Sequence, residues 1–143
     1  MARKLALSEI VDEVSKKKTK TEKIDWLKQN DSLQLRQILR LTYDQSIEFL
    51  IPNTAPPWKK NEYLDVESML YREARRLRIF FKGGGYDDLN QIKRESLFIS
   101  LLEDIDNNDA DLLVKMIAQK PFKGLTEKTL KEAFPDIYET RVV

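Results

Sequence analysis

Ser32-Leu33-Gln34-Leu35-Arg36-Gln37-Ile38-Leu39-Arg40-Leu41-Thr42 is the stretch on which the reading of the fold turns. Adjacent Ile38 and Leu39 break any alternation of period two, while Leu35, Ile38, Leu39 and Leu41 fall within one broad stripe at 3.6 residues per turn. Ser32 supplies an oxygen for the exposed amides of a first turn. The spacing therefore predicts a capped helix with a wide apolar face, the core of a domain. Ile47, Phe49, Leu50 and Ile51 are expected to continue it after a break near Asp44, until Pro52, Pro56 and Pro57 force a loop to about residue 63, which Trp58 pins down.

The same periodicity recurs on both sides. Leu5, Leu7, Ile10, Val11 and Val14 make a first helix, closed by Lys16, Lys17 and Lys18 where the helix dipole favours cations. Thr19 or Thr21 caps a second, carrying Ile24, Trp26 and Leu27. After the glycines, Asp87 or Asp88 is expected to cap a helix carrying Leu89, Ile92, Leu97, Leu101, Leu102 and Ile105. Asn108 or Asp109 then caps a helix with Leu112, Leu113, Met116 and Ile117. Thr126 starts a last one with Leu130, Ala133 and Phe134, stopped by Pro135. No segment alternates long enough to argue a sheet, so the expectation is an all-α single domain over residues 1–143 with about seven helices.

Composition narrows function by exclusion. The 143 residues suffice for one domain that buries roughly two-thirds of its unfolded surface. Histidine and cysteine are both absent, which removes thiolate nucleophiles, Ser-His-Asp triads, histidine bases and ordinary zinc sites. No apolar run approaches a membrane span, and the charged start forms no leader, so we expect a soluble, cytoplasmic protein without membrane contact. No motif calls for a cofactor. Asp104-Ile105-Asp106-Asn107-Asn108-Asp109 begins like a calcium loop but puts Asp109 where glycine is required and Lys115 where a bidentate glutamate is required.

Net charge is only +1, so a nucleic-acid reading must rest on how charge is distributed. The segment from residue 72 to 85 holds Arg72, Arg75, Arg76, Arg78 and Lys82, followed by Gly83, Gly84 and Gly85, three of the four glycines. Read as a helix capped by Asp65, it separates Val66, Met69, Leu70, Leu77, Phe80 and Phe81 from a cationic face. Such a face suits solvent and the helix dipole; followed by glycines that let backbone approach closely, it also suits a phosphate backbone. Lys123, Gly124, Thr126 and Lys128 repeat the combination at a helix start, where an ordinary cap is the competing account. The glycines fit neither a Walker A loop nor a dinucleotide fingerprint.

Two stretches carry a resemblance. Gln29-Asn30-Asp31-Ser32 leading through Arg40-Leu41-Thr42-Tyr43-Asp44, and Lys123-Gly124-Leu125-Thr126-Glu127-Lys128-Thr129 leading to Phe134-Pro135-Asp136-Ile137, resemble the N-terminal DNA-binding domain of ATP-dependent DNA ligases, particularly those of T-even-type bacteriophages. The triple glycine departs from that pattern. The resemblance implies an all-helical domain gripping duplex DNA, nicked or junction DNA included, through the minor groove and by phosphate contacts, in phage DNA metabolism inside an infected cell. It implies DNA contacts at Gly124 and its neighbours. By position, the basic helix and residues 83–85 correspond to the family's Arg/Lys-rich helix end and glycine-containing loop. The ligase's Lys-x-Asp-Gly motif has no counterpart, since Lys23-Ile24-Asp25-Trp26 lacks the glycine, so a non-catalytic binder of low sequence specificity is expected. The alternative is a protein-interaction module for a replication, repair or host protein, using the acidic stretch from Glu103 to Asp111.

Overall fold

Helix caps divide the chain much as the sequence suggests. The computed structural model describes residues 5–60 and 69–140, and in them seven α-helices and two 3₁₀ helices follow one another. They are α1 (Leu7–Val14), α2 (Lys20–Gln29), α3 (Leu33–Tyr43), α4 (Met69–Glu73), α5 (Gln91–Asp104), α6 (Asn107–Ala118) and α7 (Glu127–Ala133), with 3₁₀ turns at Ala74–Ile79 and Ile137–Glu139. Thr19, Ser32 and Thr126 accept the amides of Glu22, Leu35 and Thr129, which satisfies donors that the first turn of a helix leaves open.

α3 is the centre. Leu35, Ile38, Leu39 and Leu41 are all fully buried, and α3 packs on α6, which also receives α1 and α5, while α2 lies on α7. One continuous core results, from Leu7 of α1 to Ile137 near the end. Trp58 packs against it and so holds the proline loop down. Among the described residues no helix is long and apolar enough to cross a membrane.

A buried tyrosine and a half-buried glutamine tie the ends of α3 and α6 together. The Tyr43 hydroxyl donates to the Leu125 carbonyl at 2.6 Å and accepts from the Phe122 amide at 2.8 Å, and burial pushes its pKa up to about 12. Gln119, in the left-handed region at φ 53, closes α6 and turns its side-chain amide toward the carbonyls of Leu41, Asp44 and Ile47 at 3.1–3.3 Å. Removing only the hydroxyl, with Tyr43→Phe, strands one buried donor and one acceptor. It is expected to cost about 1–3 kcal/mol in a urea unfolding titration; a change within error would mean that water replaces the hydroxyl.

Four local expectations are corrected. Residues 47–51 do not continue α3: the chain leaves the helix and meets the segment after the 3₁₀ turn at an isolated Phe49–Phe81 bridge, with Leu50 N–H donating to Phe80 O and Lys82 N–H to Glu48 O, each at 2.8 Å. Neither Asp87 nor Asp88 caps α5; Asn90 does, accepting from Ile92 and Lys93. Asp106, rather than Asn108 or Asp109, caps α6. Ile92 is 80% exposed, so the buried face of α5 is Arg94, Phe98, Leu101 and Leu102, with Ile105 just past its end.

Candidate nucleic-acid interface

The basic segment is not one regular helix. α4 ends after Glu73 and the backbone tightens to 3₁₀ over Ala74–Ile79, where residues three apart eclipse. Arg75 and Arg78 therefore align along one exposed edge, continuing the exposed Arg72 of α4. Leu70, Leu77, Phe80 and Phe81 point inward as expected, Phe80 meeting Phe98 edge-on with ring centres 5.1 Å apart. Asp65 and Val66 lie outside the described residues.

Several of these cations already have partners within the chain. Arg76 bridges Glu73 at 3.3 Å and Asp104 at 3.0 Å. Arg78 donates through Nε to the Gly84 carbonyl at 2.9 Å and lies 5.8 Å from the Tyr86 ring centre, within cation–π range. Lys82 sits 3.9 Å from Glu48, both exposed, which is worth little in water. Arg72 approaches Glu73 at 3.3 Å, and Arg75 makes no ion pair among the described residues.

The glycine turn is likewise closed on itself. The Gly83 amide donates to both oxygens of Asp87, at 2.9 and 3.1 Å, so an internal carboxylate holds the position that a phosphate would take. A Cβ on Gly84 would lie 1.9 Å from the Arg78 carbonyl oxygen, which is why only glycine fits there. Arg94 completes the turn from below. Only 3% exposed, it donates to the carbonyls of Ile79, Tyr86 and Asp87 and to the Gln91 side chain at 2.7–3.2 Å. Its position four residues before Phe98, on the apolar stripe, was the available signal.

The second glycine has a similar explanation. Gly124 has φ +79, and a Cβ on it would lie 2.6 Å from Ser15 Cα, so the turn docks against the end of α1 while Lys23 Nζ donates to the Gly124 carbonyl at 2.6 Å. Thr126 uses its hydroxyl on the Thr129 amide and hydroxyl. Lys123 and Lys128 remain exposed. The two glycine turns rest on different elements, Arg78 in one case and Ser15 in the other.

What the fold does gather is a set of lysines. Between the C-terminal ends of α1 and α6 and the turn that follows α6 lies a cleft of about 490 Å³, lined by Lys16, Lys115, Lys120 and Lys123 and by one carboxylate, Asp12, over an apolar floor that includes Val11 and Phe122. Helix dipoles account for Lys16 and Lys115, which flank helix C-termini. Lys120 and Lys123 lie beyond the residue that closes α6 and need another reason. Lys115, Lys120 and Lys123 make no ion pair among the described residues, and Lys16 reaches Glu13 only at 3.6 Å. Of these four, sequence reasoning singled out Lys123 as a phosphate contact and missed the other three, because they meet only when α1 packs on α6.

A smaller chamber of about 130 Å³ adjoins the cleft, sharing Val11, Asp12, Lys115 and Phe122 and adding Ser8, Asn108 and Asp111. Asp109, fully buried, accepts the Ser8 amide at Oδ1 at 3.0 Å. Ala6, at the cap position of α1, has no acceptor to offer, so Asp109 performs that task from α6. Burial pushes the Asp109 carboxyl up to about 6, outweighing the opposing contact with Ser8. Among the described residues Asp109 Oδ2 and the Ser8 hydroxyl have no other hydrogen-bond partner, and the contact that opposes the shift at Asp109 includes the one between these two side chains.

A family model described as "Family of unknown function (DUF6433)" matches residues 10–122, most of the chain. The chain belongs to that family. No curated protein and no solved structure matches it. The DUF6433 match takes in α1 from Ile10 onward and all of α6, and with them Lys16, Lys115 and Lys120.

Proposed function

We propose that this DUF6433 chain is a non-enzymatic binder of duplex DNA that holds the phosphate backbone with little base readout. The observation that carries the reading is the lysine cleft between α1 and α6: four cations, three of them without an ion pair among the described residues, converge on one depression of a chain whose net charge is +1. Unpaired lysines at spaced positions suit phosphates as point charges. Lys128 and the Lys123–Gly124 turn extend the contact, and the basic segment adds Arg75, which has no ion pair among the described residues, together with the exposed Arg72 and Lys82, whose pairs water screens. The ligase-domain resemblance supports the same ligand class, with nicked or junction DNA among the substrates and phage DNA metabolism as the setting.

The acidic stretch gives the protein-partner alternative little to work with. Arg76 engages Asp104, the Lys59 amide engages Glu103, Asp106 caps α6 and Asp109 is buried. Of the five acidic residues, Asp111 is exposed and makes no hydrogen bond or ion pair among the described residues.

Fluorescence anisotropy with a labelled duplex tests the DNA reading. With about four phosphates neutralised, affinity is expected to fall about a hundredfold between 50 and 200 mM salt. The triple variant Lys115→Gln, Lys120→Gln, Lys123→Gln should make the slope of log K against log[salt] shallower by about three. Absence of binding at low salt would sink the proposal, and an unchanged slope would remove the cleft from it.

A further inference from the structure

At the glycine turn a filled donor stands beside open ones. The Gly83 amide is taken by both oxygens of Asp87, whose side chain is exposed. Arg78 is anchored at the same turn by its Nε bond to the Gly84 carbonyl, and a Cβ on Gly85 would lie 3.1 Å from its Nη2. The terminal nitrogens of Arg78 and the Gly85 amide make no hydrogen bond among the described residues, so the guanidinium is held in place with donors to spare. Lys82 is exposed, and Glu48 comes no nearer to it than 3.9 Å. Gly83, Gly85, Tyr86, Asp87, Asp88 and Leu89 line a depression of about 480 Å³ at this point. Glycine amides beside a guanidinium suit an oxyanion, and the oxyanion in place is the chain's own.

The turn also stands at the same end of the α5–α6 pair as the lysine cleft. Gln119, which closes α6 just before Lys120, reaches the Ile47 carbonyl at 3.1 Å. Three residues further on, the Leu50 amide donates to Phe80 and the Leu50 carbonyl accepts from Gln91 at the start of α5, both at 2.8 Å. At most about 10 Å of chain separates these two attachments.

We infer that Asp87 is an internal stand-in for a phosphate: in the free protein it occupies the Gly83 amide, and a backbone phosphate of DNA displaces it, with Arg78 and Lys82 supplying the charge. The inference rests on the phosphate-backbone reading and adds a latch to it. The amide is satisfied before and after the exchange, and the released carboxylate, already at the surface, returns to water. A tethered anion is present at high effective concentration, so the latch lowers the affinity of the turn for phosphate without abolishing it. Asp88, exposed and free of hydrogen bonds and ion pairs among the described residues, acts on a phosphate through space alone and is therefore the control.

Anisotropy titrations of the full chain with a labelled duplex at 50 mM salt compare Asp87→Asn with Asp88→Asn, which remove the same charge. Asp88→Asn is expected to tighten binding about twofold, as an exposed charge does. Asp87→Asn also replaces a charged occupant of the amide by a weaker neutral one while still closing the turn, and should tighten binding at least about tenfold. Inorganic phosphate should shift the Gly83 amide resonance of ¹⁵N-labelled Asp87→Asn at concentrations that leave the wild type unmoved. Equal affinities for the two variants, or a Gly83 resonance in Asp87→Asn that phosphate does not shift, overturn the inference and leave Asp87 as a turn closure. If duplex DNA binds in that case, the backbone reading survives; if no duplex binds at low salt, that reading falls, and the phosphate titration alone decides the latch.

Discussion

Replacing Arg94 with alanine is expected to remove about 3 kcal/mol of folding stability, read as a lower urea midpoint, because a buried guanidinium that meets all its acceptors leaves them stranded when it goes. Four acceptors depend on it: the carbonyls of Ile79, Tyr86 and Asp87 and the Gln91 amide oxygen. Tyr86 and Asp87 lie in an exposed turn, where water can replace the lost donor, which keeps the cost below that of a fully enclosed site. Ile79 O lies at the end of the 3₁₀ turn and is expected to account for much of the loss. Arg94→Lys should recover little, since one ammonium lacks the fork that reaches both the turn and the helix. A loss for Arg94→Ala under about 1 kcal/mol would show that the turn holds without it. The same variant should loosen the Gly83–Asp87 contact and raise amide exchange across residues 83–87, while α3 and α6 stay protected.

The second large effect concerns Asp109 and pH. Its folded pKa, about 6, lies above the ordinary aspartate value of the unfolded chain, so the native state holds the proton more tightly. The sign follows by linkage. Above pH 6 the native state carries a buried charge whose cost approaches about 3 kcal/mol; that cost shrinks as pH falls from 6 toward 4 and is gone below the unfolded value. Asp109→Asn keeps an oxygen for the Ser8 amide and removes the charge, and its new amide donor faces the Ser8 hydroxyl, which can accept it. The variant should therefore exceed the wild type by about 2–3 kcal/mol at pH 8 and match it at pH 3.5. A difference that does not vary between pH 4 and 8, or a variant less stable at pH 8, would disprove the assignment. Asp109→Ala serves as the contrast, since it removes the acceptor as well and leaves the first turn of α1 without a cap.

Sequence reading passed over Arg94 and gave Asp109 a different role, and the reason is the same in each. Arg94 sits on the apolar stripe of α5, four residues before Phe98, but a lone basic residue in a helical pattern reads as solvated until its acceptors are known. Asp109 reads as a helix cap, and its actual partner is 101 residues away in α1. Ile92 illustrates the reverse error: it counted toward the apolar face of α5, yet the rotation that brings Arg94 inward turns it out to solvent. The glycines were legible as positions where backbone must come close, but the approach is to Arg78 and Ser15 of the same chain.

Periodicity and capping chemistry suffice for the helical class, the position of α3 with Leu35, Ile38, Leu39 and Leu41 at its centre, the caps at Ser32 and Thr126, and the stop near Pro135. These are local properties: periodicity reports which side of a segment is apolar, and capping side chains act within three residues of themselves. Tertiary structure alone decided which charges are free and which are used. Arg76, Arg78 and Asp87 are absorbed into the glycine turn and its surroundings, while Lys16, Lys115, Lys120 and Lys123, unremarkable along the chain apart from the last, become one cationic cleft because α1 packs across α6. A charge is neutralised or left open by whatever the fold brings within a few ångströms of it, and no spacing along the chain encodes that distance.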